Sequence, residues 1–426
     1  MENGEILEFY KEELKHGVTH FKIFFKWNIC AVITGVIVGG MGTLFHYLID
    51  ISAKTFVNSG QRMVWLLPLV GIVIVASYKA CGMDNDRGTN MILVSVRSEE
   101  KPPIFTAPLI FVSTVLTHLA GGSAGREGAA IQMGGGIGHW LGRLLRLDEK
   151  DQKLIIMCGM SAAFSALFGT PVTAAVFSME VISVGAMYYS ALVPCVLSAL
   201  VGYCIAVRCG VEKTFFPLAS YPEITIPSVV KITLLAIACG LLSILFCVVM
   251  HGMGRLLKAL YPNKYIKIVV SGLILINLTY LVGNGDYNGA SMQLVSRAVL
   301  DGQAMPYDFL MKLLFTAITL GAGFRGGEIV PCFVVGATFG CLAAGLLGID
   351  GSFAAAVGMI AVFCGVTNCP ITSMILSVEM FGAQGLLFFA VAVATSYMLS
   401  GYYGLYMGQK ILYSKDKAEF INTSAH

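Results

Sequence analysis

Two acidic residues in this chain stand beside clusters of glycine within apolar sequence. Glu127 belongs to the block G-R-E-G at 125–128, and Glu328 follows the glycine pair at 326–327. Ionisable side chains inside membrane-spanning segments are costly and are by default functional. Each cluster precedes an apolar helical run, and a glycine-lined helix N-terminus offers unpaired N–H groups and partial positive charge. The two blocks therefore predict a binding site for a small anion with titratable carboxyl groups beside it.

Such a site requires both glycine clusters to meet near the middle of a membrane. Two facing helix ends hold an anion without any full positive charge, so the ion can still leave, as transport requires. The alternative is that glycines only pack membrane helices closely, as small residues do. We favour close packing for the spaced glycines at 134–138 and 336–340, and the anion site for the clusters beside Glu127 and Glu328.

The elements that must position these blocks are membrane-spanning helices. Apolar residues make up 56% of the 426-residue chain and charged residues 12%, whereas soluble domains show about 45–50% and about 25%. Several charge-free stretches approach or exceed the roughly 20 residues that a helix needs to cross hydrocarbon. Their length without alternation excludes a β-barrel, so the chain is predicted to be an all-α polytopic membrane protein. A net charge of +3 gives no reason to expect nucleic acid.

The charge pattern predicts how the chain divides and how it lies in the membrane. Residues 1–27 carry mixed charges and predict a cytoplasmic or interfacial N-terminal helix rather than a secretory signal. Residues 28–220 and 221–412 are predicted as two membrane repeats, and 413–426 as a short cytoplasmic tail without a regulatory domain. Basic residues near 143–153 and in the tail place both termini in the cytoplasm by the positive-inside rule.

An internal repeat supports the division into two halves. The segment GMSAAFSALFGTPVTAAVFSME at 159–180 aligns without a gap with GMIAVFCGVTNCPITSMILSVE at 358–379, and eight of 22 positions are identical. Duplicated halves with glycine- or proline-interrupted apolar segments are typical of secondary transporters. Glu180 and Glu379 occupy matching positions near helix ends, where we expect them to cap or pair, with a role in a proton path as the alternative.

The motifs, in this order, resemble the CLC family of chloride channels and anion/proton exchangers. The block G-R-E-G at 125–128 is followed by F-G-T-P at 168–171 and by G-x-F and G-G-E-x-x-P within 321–331. The resemblance covers nearly the whole membrane region. It implies a fold of two inverted repeats with broken half-helices, about 17 to 18 helices in all, and a homodimer with one pore per subunit.

The resemblance also implies roles for particular residues. In that family the glutamate of G-R-E-G is the gate, here Glu127, whose carboxylate competes with anions for the same N–H groups. It must be neutralised by a proton before anions pass, which links the two fluxes. Glu328 is expected to share in this coupling. The residues expected to bind the anion are Gly82, Met83, Gly125, Arg126, Gly128, Phe324, Ile329, Val330 and Tyr406.

Three departures from the common family pattern are similar to its fluoride branch. Met83 stands where the first motif, G-S-G-x-P, has its chloride-coordinating serine, and the motif's proline is missing. Val181 stands where the common internal proton-accepting glutamate would be, and Glu328 just before the anion-facing backbone is a trait of that branch. We therefore expect an antiporter that exports fluoride in exchange for protons across the plasma membrane of a prokaryotic cell, with no enzymatic activity and no organic cofactor or metal.

The residues leave other function classes open. A CLC-type chloride channel or chloride/proton antiporter is the main alternative. The stretch G-G-S-A-G at 121–125 fits the nucleophile motif of serine hydrolases, which would suggest an intramembrane serine protease with His139 or His251 as base. That motif needs a strand before its serine, whereas an apolar helix is predicted there. A cation/proton exchanger would want clustered Asp or Asn at mid-membrane, which the apolar runs lack.

Overall fold

The computed structural model describes residues 2–283 and 285–426, and these form sixteen α-helices, two 3₁₀ helices and three short strands. The α-helices are α1 (Glu2–Asn58), α2 (Leu67–Ala80), α3 (Thr89–Arg97), α4 (Thr106–Leu119), α5 (Glu127–Leu144), α6 (Glu149–Phe168), α7 (Pro171–Glu180), α8 (Leu192–Arg208), α9 (Ile226–Leu260), α10 (Lys264–Val282), α11 (Met292–Leu300), α12 (Asp308–Ala322), α13 (Ile329–Leu347), α14 (Gly351–Thr367), α15 (Pro370–Phe381) and α16 (Leu386–Leu399). The 3₁₀ helices are Arg62–Leu66 and Tyr189–Ala191, and the strands are β1 (Ser183–Val184), β2 (Lys410–Tyr413) and β3 (Phe420–Ser424).

The helices confirm a polytopic membrane protein. Six helical segments among the described residues are long and apolar enough to cross a membrane, and four shorter apolar helices accompany them. Irregular backbone at membrane depth is tolerated only where protein buries it or where it lines a cavity. A binding site within the membrane is therefore expected at the short helices and at the breaks between them. The segment 209–225, where the predicted halves join, contains no helix or strand.

Two predicted boundaries can be placed on the helices and strands of the structure. The boundary at 27/28 falls inside α1, which contains no proline and runs unbroken, with Gly35 and Gly39 packed against α8. Residues 413–426, predicted as a short cytoplasmic tail, include part of a sheet. Strand β2 pairs in parallel with β1 and antiparallel with β3, forming a three-stranded sheet. A two-residue strand such as β1 leaves no periodic signal in sequence, so this small sheet was not predicted.

The sequence repeat is reproduced in the backbone. Helices α6 and α7 are separated at Gly169 (φ 70°), and α14 and α15 at Asn368 (φ 57°), both in the left-handed conformation that ends helices. The next residues, Thr170 and Cys369, have φ/ψ of −120°/76° and −118°/75°. The segments 159–180 and 358–379, which were predicted to be repeats from their sequences, therefore also share a backbone conformation.

The spaced glycines pack helices, as predicted. A Cβ atom built on Gly134 would lie 2.3 Å from the carbonyl oxygen of Gly159, so α5 and α6 touch through their backbones. In the second half, a Cβ on Gly336 would lie 2.6 Å from the carbonyl oxygen of Gly358, between α13 and α14. Small residues drive such close contacts in membranes, where lipid removes the hydrophobic force between helices.

An aromatic core joins the two halves. The rings of Phe168 and Phe333 have centroids 6.0 Å apart, and those of Phe177 and Phe363 lie 6.2 Å apart, each pair combining one residue from each half. All four side chains are buried. Such ring pairs contribute about 0.5–1.5 kcal/mol each beyond the area they bury. The junction between the repeats is therefore a packed core and not a loose interface.

The repeat-equivalent glutamates cap helices of the opposite half. The Glu180 carboxylate accepts hydrogen bonds from the backbone N–H groups of Ile371 (3.0 Å) and Thr372 (2.8 Å) at the start of α15. The Glu379 carboxylate accepts from the N–H groups of Val172 (3.1 Å) and Thr173 (2.8 Å) at the start of α7. The predicted capping role is confirmed, and the reciprocity is that of a two-fold axis relating the halves.

Loss of one cap should weaken the opposite half. In Glu379→Gln the NH₂ group cannot accept, so one N–H at the start of α7 loses its partner. We expect a loss of about 1–3 kcal/mol in stability, seen as a lower melting temperature, and faster amide hydrogen exchange at Val172 and Thr173. Glu212→Gln, at an exposed position, is the control. Unchanged exchange at these two amides would contradict the capping role.

Candidate functional site

The two glycine blocks meet at the centre of the fold. The N–H of Gly125 donates to the carbonyl oxygen of Gly327 at 2.7 Å, and the N–H of Gly327 donates back to the carbonyl oxygen of Gly125 at 2.7 Å. The first residue stands just before α5 and the second just before α13. The N-termini of two helices, one from each half, therefore come together as predicted.

Glycine is required here by space. A Cβ on Gly327 would lie 2.6 Å from the amide nitrogen of Gly128 and 2.8 Å from that of Glu127. A Cβ on Gly326 would lie 2.4 Å from the Cβ of Ala124. These distances are shorter than real Cβ contacts, so only glycine lets the two helix ends approach this closely.

The Glu127 carboxylate lies on these helix ends. Its side chain is fully buried, and Oε2 accepts hydrogen bonds from the backbone N–H groups of Arg126 at 2.9 Å and Val330 at 3.4 Å. Oε1 makes no hydrogen bond and lies 3.8 Å from Nε of Arg126. One carboxylate oxygen thus bridges the start of α5 and the start of α13, the position where helix N-termini attract an anion.

The second acidic residue stands at the start of α13. Glu328 is the residue before the first turn of the helix, and its half-buried carboxylate makes no hydrogen bond with any other described residue. The neighbouring Phe324, Ile329 and Val330 are buried. The structure therefore brings both candidate carboxyl groups to the same pair of loops, one held by N–H groups and one without a hydrogen bond.

Tyr406 completes this group from the loop after α16. Its side chain is 1% exposed, and its hydroxyl has no hydrogen-bond partner among the described residues. It lies near enough to Glu328 and Glu127 for their charges to act on its hydroxyl. The loop is fixed by the N–H of Leu405, which donates to Val366 at 2.8 Å. A buried donor without a partner, within electrostatic reach of two carboxyl groups, suits a ligand that accepts hydrogen bonds.

The first motif approaches the site through α3. Gly82 turns the chain with φ 69°, and Met83 is buried in the core. Thr89, the first residue of α3, reaches the carbonyl oxygen of Gly128 through its hydroxyl at 3.3 Å. Gln132 on α5 donates to the Thr89 hydroxyl at 3.1 Å, and its own Oε1 is buried without a partner.

Thr89 and Gln132 were not among the predicted residues. Thr89 lies at the end of the first motif, which differs from the family pattern. Gln132 lies one helical turn after Gly128. An i, i+4 spacing from Gly128 on one helix face is the signal that could have identified Gln132.

A cavity leads to Glu127 from one side of the protein. It has a volume of about 300 Å³. Its lining includes His46, Asp50, His118, Arg126, Glu127 and Val330. The Arg126 guanidinium is 19% exposed and faces this cavity, whereas its backbone N–H binds the Glu127 carboxylate. Arg126 thus hydrogen-bonds to the carboxylate through its main chain, and the cavity ends beside Glu127, whose side chain is itself fully buried.

A buried lysine beneath the first glycine block was also missed. Lys312 on α12 is fully buried, and its ammonium donates to the Ser123 hydroxyl (3.0 Å), the Gly289 carbonyl oxygen (2.7 Å) and the Ser291 hydroxyl (2.8 Å). These bonds fasten the glycine block to the loop before α11. A single lysine in an apolar run gives no sequence signal of what it binds, because its partners are 21 to 189 residues away.

The serine hydrolase alternative fails on geometry. Ser123 is buried, helix α4 and not a strand precedes it, and its hydroxyl partners are Thr316 at 3.0 Å and Lys312. His251 is occupied with the carbonyl oxygen of Leu405 at 3.2 Å. The nucleophile motif requires an exposed serine on a strand-to-helix turn, so this match has no functional meaning.

Comparison with known proteins agrees with these observations. The family model for voltage gated chloride channels matches residues 77–401. A chloride/fluoride channel protein of Pseudomonas syringae pv. tomato is 33% identical over 396 residues, which cover 92% of this chain and 87% of that protein. An H(+)/Cl(-) exchange transporter of Yersinia pseudotuberculosis is 22% identical over 91% of this chain and 86% of its own length.

Solved structures share the architecture. The crystal structure of a CLC-type fluoride/proton antiporter has a TM-score of 0.87 and 32% identity, covering 90% of this chain and 98% of that one. A slow cyanobacterial Cl-/H+ antiporter has a TM-score of 0.73 at 19% identity, covering 88% and 94%, and shows the shared fold alone. The predicted architecture of two inverted repeats is therefore confirmed, and the chain belongs to the CLC family of voltage gated chloride channels and transporters.

Proposed function

We propose that this protein is an antiporter that exports fluoride in exchange for protons. The observation that carries the proposal is the position of the Glu127 carboxylate, which takes the N–H groups of Arg126 and Val330 that an anion would otherwise bind. Family membership makes the substrate an inorganic anion. The likeness to a CLC-type fluoride/proton antiporter at 32% identity over 90% of the chain supports fluoride and protons.

The coupling follows from competition for the same donors. While Glu127 is ionised, its carboxylate holds both helix N-termini and keeps the anion out. A proton removes its charge and weakens these hydrogen bonds, since charge-assisted bonds are roughly twice as strong as neutral ones. The anion then takes the N–H groups, and return of the carboxylate requires the anion to leave and the proton to be released. Each cycle therefore moves both ions.

Two features favour fluoride over chloride. Fluoride is a strong hydrogen-bond acceptor, so the protonated carboxyl groups of Glu127 and Glu328 donate to it more favourably than to chloride. Met83 stands where the family's chloride-coordinating serine would be, which removes a donor suited to the larger ion. A chloride channel or chloride/proton antiporter is the second candidate, and the relationship to an H(+)/Cl(-) exchange transporter at 22% identity is its support.

The remaining site assignments belong to this proposal. Phe324 and Ile329 pack around the anion, the Val330 N–H and the Tyr406 hydroxyl bind it, and Glu328 accepts and donates protons. The backbone of 82–83 and of 125–128 lines the path. The protein works as a homodimer with one pore per subunit in the plasma membrane, with both termini in the cytoplasm.

Purified protein in liposomes tests the proposal. Liposomes loaded with fluoride or with chloride are diluted into ion-free buffer, and a halide electrode and a pH electrode record efflux together. We expect fluoride to leave much faster than chloride and the external pH to rise as protons enter. Equal fluxes of the two anions would support the chloride alternative, and fluoride efflux without a pH change would rule out exchange.

Tyr406→Phe isolates the role of the tyrosine hydroxyl. Because that hydroxyl is buried without a partner, its removal should leave the melting temperature unchanged or slightly higher. Transport of fluoride should fall by roughly tenfold, as for loss of one hydrogen bond to an anion. Tyr403→Phe, on the same loop but with an exposed side chain, is the control. A variant that loses stability and keeps its fluoride flux would contradict the assignment.

A further inference from the structure

A buried ion pair ties the first motif to the second glycine block. Asp86, in the loop before α3, accepts a hydrogen bond from Nη1 of Arg325, in the loop before α13, at 3.0 Å. The Asp86 side chain is 2% exposed and that of Arg325 is 24% exposed. The pair joins loops that are 239 residues apart in sequence and belong to different halves.

Arg325 and Asp86 close a ring of contacts around Met83. The Arg325 guanidinium lies over the ring of Tyr78, 4.0 Å from its centroid. The N–H of Met83 donates to the carbonyl oxygen of Tyr78 at 2.8 Å, and the N–H of Asp86 donates to that of Met83 at 3.1 Å. The backbone around Met83 is thus fixed on one side by the end of α2 and on the other by an arginine from the opposite half.

The ion pair stands where the family motif has a proline. In the pattern G-S-G-x-P, Gly82 and Met83 take the first two places and Asp86 takes the last. Proline restricts the backbone by fixing φ, and the present loop contains Gly82 at φ 69° and no proline. The ion pair with Arg325 of the other half restricts this loop where the family motif has a proline.

Arg325 is also close in sequence to the residues at the start of α13. Three residues later comes Glu328, and two residues later comes Gly327, which bonds to Gly125. The N–H of Arg325 itself contacts the hydroxyl of Thr117 on α4 at 3.3 Å. A movement of Arg325 would therefore be transmitted both to the Met83 loop and to the start of α13.

We propose that the Asp86–Arg325 pair is a positioning device that sets the spacing between the Met83 loop and the start of α13, and through it the preference for fluoride over larger halides. The inference rests on the proposed function of the site. Neither residue binds the anion. Nearby pairs cannot replace this one, since both side chains of Lys264–Asp84 (3.5 Å) are 46% exposed and both of Arg87–Glu100 are about half exposed.

The test is the ratio of fluoride flux to chloride flux in liposomes. Asp86→Asn keeps the shape of the side chain but removes its charge, and Arg325→Lys keeps the charge but loses the forked geometry and the stacking on Tyr78. We expect the ratio to fall by about tenfold in each, because shifts near 1 Å at a site of fixed donors change its performance by up to about a hundredfold. Glu100→Gln, which removes the exposed pair of the same region, should keep the wild-type ratio.

A double variant separates positioning from stability. Arg325→Lys shortens the reach of the base by one atom and Asp86→Glu lengthens the acid by one methylene, so in the double variant the pair can re-form, and we expect most of the ratio to return. An unchanged ratio in Asp86→Asn or in Arg325→Lys, whether total flux is normal or reduced, would overturn the inference. If the wild-type protein itself carries chloride as fast as fluoride, the proposed function fails, and a change of anion preference in the variants still decides the role of the pair.

Discussion

Liposomes that contain Glu127→Gln should pass fluoride without moving protons. Glutamine has nearly the same shape but carries no charge and does not titrate, so it cannot hold the N–H groups of Arg126 and Val330 as a carboxylate does. Fluoride would then cross whenever the amide swings aside. We expect proton movement driven by a fluoride gradient to fall to the leak of protein-free liposomes, while fluoride efflux continues.

The control for this experiment is Glu149→Gln, at an exposed position in the first turn of α6. It removes the same charge outside the site and should retain coupled exchange. Proton uptake that persists in Glu127→Gln and still follows the fluoride gradient would remove Glu127 from the coupling mechanism. The anion site between the helix ends would remain, because it depends on the backbone.

Gly327→Ala should nearly abolish transport of every anion. The added methyl group would lie 2.6 Å and 2.8 Å from the amide nitrogens of Gly128 and Glu127, so the two helix ends must separate. Donors that have moved by a fraction of an ångström or more no longer converge on one small ion, and losses of about a hundredfold are typical of such displacements. Flux assays with fluoride and chloride measure the effect.

Gly345→Ala is the matched control, since this glycine is on the same helix and a Cβ there meets nothing within 4 Å. Alanine in a helix interior is favoured over glycine by roughly 1 kcal/mol, so this variant should be at least as stable as the wild type and fully active. Size-exclusion chromatography establishes that Gly327→Ala is still folded. Normal flux in folded Gly327→Ala would mean that the contact between the two glycine blocks is unnecessary for transport.

The parts of the fold that could be predicted are those with a local or repeated pattern. Apolar runs indicate membrane helices, and the alignment of 159–180 with 358–379 indicated two related halves. Glu180 and Glu379 could be assigned to caps because their positions match in both copies. The meeting of the two glycine blocks could be predicted because an anion that is bound without any positively charged side chain needs N–H groups that converge on it.

The parts that could not be predicted depend on partners that are distant in sequence. The sequence around Asp86 gives no sign that this residue contacts Arg325. The sequence around Lys312 likewise gives no sign that it contacts Ser123. The sheet of β1, β2 and β3 is too short for periodicity to appear. The anion-binding roles of Met83, Ile329 and Tyr406 stay predictions, because they concern an ion and the burial and contacts of a side chain do not by themselves reveal what it binds.

The crossed pattern of Glu180 on α15 and Glu379 on α7 bears on how the molecule arose. When residue i of one copy meets residue j of another and j meets i in return, the contact is isologous, the kind that two identical chains form about a dyad. An ancestor half as long could have made both bonds by pairing with itself. Joining two such genes end to end would retain each carboxylate against the helix it already served, and the two halves would then diverge separately.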